Sequence, residues 1–432
     1  MAQSQALQPG ETFDAERLYE PRDGVAAYVA AVTIPTPAIE TVGLDAAIGR
    51  ILARDAVADA LYPADPRSTM DGFAIVAGDG MAVRRIVGEV RMGQAPPGPV
   101  ARGEAMRIPT GGVVPDGADA VVPVEDVDEI DFDGESGSAI SPREGVERGE
   151  NVTQAGEDMR PGDRILTAGL RIGGPELAVL ATLGIAQVPV FARPRVAIIS
   201  TGDELVDAAA RPGRGQIRDS NRWAIAAALT ALGCIPIQRP VAGDTFDALR
   251  GALESALAAA DAVVLTGGSS VGVRDLTPQV IAALAAATTP ASPGVVVHGL
   301  KAKPGKPTVL AMVGRKPVIG LPGNPASSLM MLEAVVAPVF SALAGEASVP
   351  SAAVTAIAAE RFSGRHGWTW YIPVELRLEA GRVLAAPIPL RSAHTSLLAR
   401  AHGYLIVGPD PAAVPADAAV TVHRFLGGGR TL

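Results

Sequence analysis

Three lysines crowd the run Lys301-Ala302-Lys303-Pro304-Gly305-Lys306-Pro307, where their ammonium groups could neutralise a phosphate or another oxyanion. Glu204, Asp244 and Asp275 are carboxylates of the kind that hold Mg²⁺ together with substrate oxygens. Small residues accompany both sets. Gly267-Gly268-Ser269-Ser270 would let backbone N–H groups reach a phosphate with no Cβ in the way. Leu321-Pro322-Gly323-Asn324-Pro325-Ala326-Ser327 opens a helix, whose first N–H groups and dipole favour an anion. Thr201-Gly202-Asp203-Glu204 and Gly243-Asp244 are two further segments of small and acidic residues. Singly, each has an ordinary explanation: a glycine turn, solvated lysines, surface acids, a proline helix start. Their joint meaning depends on whether they share one edge of one sheet.

The elements around them predict that they do. Arg195-Val-Ala-Ile-Ile-Ser-Thr201 and Asp261-Ala-Val-Val-Leu-Thr266 are continuous apolar runs, as in strands buried on both faces. Further strands are expected at Ile235–Gln238, Val295–His298 and Lys316–Leu321. Helices are expected from the cap Asp219-Ser220-Asn221 to Gly233, from Thr245, from about Pro278 and from Pro325. This alternation predicts a doubly wound parallel α/β domain over 193–345, in which ligands bind at the carboxyl ends of the strands. All five segments follow or adjoin such ends, which predicts a site for a phosphate-bearing ligand. Neither a Walker loop nor a Gly-x-Gly-x-x-Gly turn stands in the right place, so the common nucleotide-binding loops are disfavoured.

Outside that region the chain reads differently. Residues 1 to about 62 read as helical, until Tyr62-Pro63-Ala64-Asp65-Pro66 stops the pattern. Residues 66–150 are β-rich, with a hairpin signal at Asp133-Gly134. Pro175 to Gly184 is a short helix, and 346–432 is a small all-β domain. The expected layout is a helical linker domain (1–65 with 151–192), a β-rich domain (66–150), the α/β domain (193–345) and a β-barrel-like domain (346–432).

Bulk properties narrow the class. Hydrophobic residues make up 48% and charged residues 19%, a globular balance. The net charge of -9 argues against a nucleic-acid partner. A single cysteine, Cys234, excludes an internal disulfide and suggests a cytoplasmic protein. No uncharged apolar run reaches the ~20 residues of a membrane span, since Leu329–Ala344 is interrupted by Glu333 and Pro338. The five histidines show no zinc spacing.

Longer motifs add a resemblance. Ser68-Thr-Met-Asp71-Gly72-Phe-Ala-Ile75, Ile108-Pro-Thr110-Gly-Gly-Val-Val-Pro-Asp-Gly-Ala-Asp119-Ala-Val-Val-Pro-Val-Glu125, Ser200-Thr-Gly-Asp-Glu204-Leu, Gly267-Gly-Ser-Ser-Val-Gly-Val-Arg-Asp275, Lys303-Pro-Gly-Lys306-Pro and Leu321-Pro-Gly-Asn-Pro-Ala-Ser327 occur in this order. The set resembles the MoeA/gephyrin E-domain family, the molybdopterin molybdotransferases. The resemblance implies an enzyme that inserts molybdate into adenylylated molybdopterin with Mg²⁺ and releases AMP. It implies a homodimer whose site lies between the α/β domain of one subunit and the β-rich domain of the other, with molybdopterin adenylyltransferase and apo-molybdoenzymes as further partners. By motif match, Asp71, Thr110, Glu204, Asp244, Asp275, Lys303 and Lys306 are the expected catalytic residues, and Glu204, Asp244 and Asp275 the expected metal ligands. Gly202, Asp203, Gly267, Gly268, Ser269, Pro304, Gly323, Asn324, Ser327, Arg365 and Ser396 are the expected ligand contacts.

Some positions depart from the pattern. Many relatives carry a lysine four residues before Lys303, where this chain has Gly299; Lys301 is the substitute charge. Gly364-Arg365-His-Gly-Trp-Thr-Trp370-Tyr-Ile372 lacks the second arginine common there, and His402 stands in place of a common asparagine. These departures leave open altered molybdate handling or a weakened, scaffolding member. A molybdopterin adenylyltransferase is a third reading, although Gly-Gly-Ser-Ser replaces that enzyme's usual Gly-Gly-Thr-Gly and the flanking domains are superfluous to it.

Overall fold

The computed structural model describes residues 18–132, 135–267, 276–348, 352–389 and 395–426. The chain divides into two compact units, one of Met1–Arg54, Ala168–Leu177 and Ala186–Leu432, the other of Asp55–Thr167 and Ala178–Ile185.

The larger unit is built on a six-stranded sheet in the order Ile235–Gln238, Arg195–Ser200, Ala262–Thr266, Lys316–Leu321, Val309–Val313, Gly294–His298. The first four strands are parallel. Helix Asn221–Ala231 and the helical run Pro325–Leu343 cover one face, with Ile225, Leu229, Met330 and Phe340 packed on Val196, Ile198, Val264 and Ile319. Helices Phe246–Ala259 and Leu276–Ala286 cover the other, with Leu249, Leu253, Val280 and Ile281 on Ala197, Ile199, Val263 and Val318. Helix placement follows local chemistry. Thr245 accepts a hydrogen bond from the Ala248 N–H at 3.3 Å as an N-cap, and Gly233 ends its helix at φ +84°. The expected Asp219-Ser220-Asn221 cap is realised by Asp219, whose carboxylate accepts from the Arg222 N–H at 3.3 Å.

The expectation of a doubly wound parallel sheet needs correction at one strand. Val309–Val313 was not foreseen, and it runs antiparallel to both neighbours. It forms a hairpin with Lys316–Leu321 across Gly314 at φ +62°. The available signal was an apolar run, a Gly-Arg turn and a second apolar run. Gly294–His298 still points the same way as the parallel strands, because it is antiparallel to an antiparallel strand.

The helical expectation for residues 1–62 also fails in part. The described portion holds one real helix, Pro21–Ala31, and one turn at Leu44–Ala47. Pro35 and Pro37 stop the helix, and Ile39–Gly43, rich in β-branched residues, pairs antiparallel with Gln187–Phe191. The C-terminal region is β-rich as expected. Ala353–Ala358, Arg382–Pro387, Thr369–Glu379, Gly403–Val407 and Ala419–Arg424 pair in a closed circuit, a small barrel filled by Phe362, Val374, Leu376, Leu405 and Val422. The helical run Pro325–Leu343 is long and apolar enough to cross a membrane, but it is mostly buried in this unit as a core element.

The smaller unit holds a six-stranded sheet of its own, ordered Ala120–Pro123, Gly72–Ile75, Glu104–Ile108, Arg84–Glu89, Glu135–Pro142, Val127–Phe132. Phe73, Ile75 and Val122 fill one face, and Ala74, Met106 and Val121 the other. Val127–Phe132 and Glu135–Pro142 pair as an antiparallel hairpin, while the Asp133-Gly134 turn itself lies outside the described residues.

Candidate active site at the strand ends

The carboxyl ends of the four parallel strands are laced together. The Thr201 N–H donates to the Thr266 carbonyl at 2.8 Å, and Thr201 also bridges to Ala242. Beyond Thr201 the chain turns at Gly202 (φ +139°), where a side chain would meet the Glu204 carboxylate at 2.5 Å. That carboxylate folds back over the turn. The Asp203 N–H donates to the Asp244 carboxylate at 3.3 Å. Asp203, Glu204 and Asp244 thus form one exposed acidic corner. Among the described residues no lysine or arginine pairs with Glu204 or Asp244, and no group of three or more potential metal ligands is already drawn together. Asp275, Gly268 and Ser269 lie outside the described residues.

The two glycine loops meet at the centre of the rim. Gly267 has φ +89°, and a Cβ there would run into the Thr201 carbonyl oxygen. A Cβ on Gly323 would lie 3.4 Å from the Gly267 Cα, so the loops touch backbone to backbone. Asn221, at the start of its helix, ties them. Its amide donates to the Thr266 hydroxyl at 3.0 Å and to the Gly323 carbonyl at 2.7 Å, leaving its Oδ1 buried without a partner. Sequence reasoning registered Asn221 only as a helix start. Asn324 precedes the Pro325–Met331 helix, its carbonyl accepting from the Ser328 N–H at 2.9 Å, and Ser327 is buried beneath.

The lysines occupy the other end of the same rim. His298 lies in register with Val309, and Val309 with Gly320, so the intervening loop leaves from the carboxyl edge. Lys301, Lys303 and Lys306 are exposed while Pro304 is buried. The Lys303 Nζ stands 4.7 Å from the centre of the Trp370 ring. The Gly299 departure acquires a reason here. Its φ is +90°, a Cβ there would meet Leu18 at 2.6 Å, and its carbonyl accepts from the Tyr19 N–H at 3.2 Å. A lysine at this position would be strained.

Asp71 and Thr110 lie in the smaller unit and meet each other. Antiparallel pairing of Gly72 with Ile108 brings the two strand ends side by side. The Thr110 N–H donates to the Asp71 carboxylate at 2.7 Å and the Thr110 hydroxyl at 3.0 Å. These bonds, the backbone one first, hold the Asp71 carboxyl below the usual aspartate range. Both side chains are exposed. In the barrel region, Arg365 is exposed beside the Trp368 ring at 5.8 Å, and Ser396 is exposed at the start of the Ser396–Arg400 helix. His402 is buried, its Nδ1 accepting from the Leu376 N–H at 3.2 Å, so it belongs to the barrel wall.

Comparison with known proteins identifies the family. Residues 21–184 match the family model for the MoeA N-terminal region (domain I and II), and residues 197–342 match that for a probable molybdopterin binding domain. The molybdopterin molybdenumtransferase of Bacillus subtilis (strain 168) is 30% identical over 376 residues, spanning 85% of this chain and 85% of that protein. That of Staphylococcus aureus (strain COL) is 32% identical over 358 residues, spanning 81% and 82%. The crystal structure of a molybdopterin biosynthesis MoeA protein from Pyrococcus horikosii is 30% identical, with a TM-score of 0.74 over 95% of this chain and 100% of the other. The chain belongs to the molybdopterin molybdenumtransferase family, transferases of molybdenum cofactor biosynthesis.

Proposed function

We propose that the chain transfers molybdenum to molybdopterin by acting on adenylylated molybdopterin and molybdate, with release of AMP. The observation that carries this reading is the apposition of Gly267 and Gly323 on one rim, with the acidic corner at one end and the lysine loop at the other. Bare backbone at strand and helix ends suits phosphate oxygens. Lys303 and Lys306 attract the molybdate dianion and stabilise charge that develops on the cleaved phosphate. Glu204, Asp244 and Asp275 offer only hard carboxylate oxygens, the donor chemistry that Mg²⁺ takes, and are the residues that would hold it. Bound there, Mg²⁺ would neutralise phosphate charge. Gly202, Asp203, Asn324, Ser327 and Pro304 shape the rim, while Arg365 and Ser396 add anion contacts from the barrel region. Asp71, kept ionised by Thr110, completes the site from the second copy of a homodimer. The proposed domain limits are those of the sequence reading: 1–65 with 151–192, 66–150, 193–345 and 346–432.

The test uses purified protein, adenylylated molybdopterin, molybdate and Mg²⁺, following AMP release and activation of an apo-molybdoenzyme. AMP release that ceases in Asp275→Ala, with thermal unfolding unchanged, is the expected result. Tight binding without AMP release would replace this reading with a scaffolding role. Adenylylated pterin made from ATP would replace it with an adenylyltransferase.

A further inference from the structure

Lys303 is a long, flexible, exposed side chain, and among the described residues no carboxylate pairs with its ammonium. An unrestrained lysine of this kind samples many rotamers, and a charge that acts on a developing anion is most effective when already in place. The C-terminal region supplies the restraint. Ala302–Lys303 pairs in parallel with the start of the Thr369–Glu379 strand, with Ala302 opposite Thr369 and Lys303 opposite Trp370. The Thr369 N–H donates to the Lys301 carbonyl at 2.8 Å, and the Thr369 hydroxyl to the Glu20 carboxylate, so this register is pinned on both sides. Register partners on parallel strands point to one face, which sets the indole beneath the Lys303 stem and its Nζ over the ring at 4.7 Å.

The indole is seated for its face. A Cβ on Gly364 would lie 3.0 Å from the Trp370 Cδ1, so the ring fits because that glycine has no side chain. On the barrel side, Trp370 pairs with Val407. Its Nε1 is buried with no hydrogen-bond partner, so no hydrogen bond from the indole fixes the ring, and its face is left to the Lys303 ammonium.

We propose that Trp370 is a positioning residue for the reaction, fixing the Lys303 ammonium at the rim through a cation–π contact. This rests on the reading of Lys303 as part of the site. The arrangement links the barrel to the chemistry through an uncharged side chain.

The experiment is a double-mutant cycle in the intact protein, reading steady-state AMP release from adenylylated molybdopterin and the unfolding temperature of each variant. Trp370→Leu is expected to lower kcat roughly 5- to 30-fold, with KM little changed. Trp370→Phe, which keeps a ring face, should stay within about threefold of the parent. In the Lys303→Ala background, Trp370→Leu should cost less than about twofold more. Full additivity of the two losses would overturn the proposal, as would wild-type turnover by Trp370→Leu when Lys303→Ala is inactive. Wild-type turnover by Lys303→Ala would instead remove the role assigned to the lysine, and the positioning role with it.

Discussion

Replacing Asn221 by aspartate keeps the shape of the side chain and removes what it gives. The amide donates both hydrogens, to the Thr266 hydroxyl at 3.0 Å and the Gly323 carbonyl at 2.7 Å, and the residue is only 8% exposed. An ionised carboxylate has no hydrogen to donate and places its lone pairs against the Gly323 carbonyl. The Thr266 hydroxyl can turn and donate to the carboxylate, so one buried hydrogen bond is lost, to the Gly323 carbonyl, at about 1 kcal/mol; with desolvation of the new charge the deficit is about 2–4 kcal/mol at neutral pH. Burial and the facing carbonyl raise the pKa of the introduced aspartate in the folded protein above its unfolded value of about 3.9. A group with a raised folded pKa contributes its full stability below the unfolded pKa and loses it as pH rises through the folded one. The protonated acid can still donate one hydrogen bond, so the deficit shrinks in acid to about 1 kcal/mol. The assay is thermal unfolding of both proteins side by side at about pH 4.5 and pH 7.5, with the difference taken at each pH. A difference that does not depend on pH, or that grows toward acid, would refute the reasoning. So would a variant indistinguishable from the parent at pH 7.5, because Asn221 would then not hold the Gly267 and Gly323 loops together.

Two further predictions concern carboxyl groups elsewhere. Thr110→Val removes the 3.0 Å hydroxyl contact to Asp71 but keeps the 2.7 Å backbone one, so the Asp71 pKa should rise only part of the way to its ordinary value. An NMR titration of the Asp71 carboxyl carbon reads this directly, and an unmoved midpoint would mean the hydroxyl contributes nothing. Glu333 is buried, with its carboxyl pushed up to about 8 by desolvation despite accepting from the Leu426 N–H at 2.9 Å. Its stability contribution is therefore complete in acid and lost as pH rises toward about 8. Glu333→Gln should match the parent near pH 4 and exceed it by a few kcal/mol near pH 9. Parallel unfolding curves of stability against pH would count against that burial.

Local pattern revealed those parts of the molecule that local chemistry decides. The Arg195–Ser200 and Ala262–Thr266 strands were legible because a buried parallel strand is apolar at every position. The strand-end rule then gathered Gly202, Asp244, Gly267 and Gly323 onto one edge. Val309–Val313 was hidden because its apolar run follows the proline- and lysine-rich loop and reads equally well as buried helix or strand. Ile39–Gly43 was hidden because its partner, Gln187–Phe191, lies far along the chain. Asn221 and Trp370 escaped for the same reason: each acts through a contact with a distant loop, and neither contact leaves a periodic trace in sequence. Gly299 looked like a lost charge until its positive φ showed a backbone requirement.

The smaller unit is spliced into the larger one, occupying Asp55–Thr167 and Ala178–Ile185 between segments that belong together. Synthesis runs from the amino terminus, so Ile39–Gly43 emerges long before its partner Gln187–Phe191, and Tyr19 longer still before Gly299 and Lys301. During that interval the insert has nearly all its own strands and can collapse, while the first segment must wait unpaired. The larger unit is thus finished last and from both directions, by closing loops of well over a hundred residues whose entropy cost grows only logarithmically with length. The order of assembly is written into where the chain was interrupted.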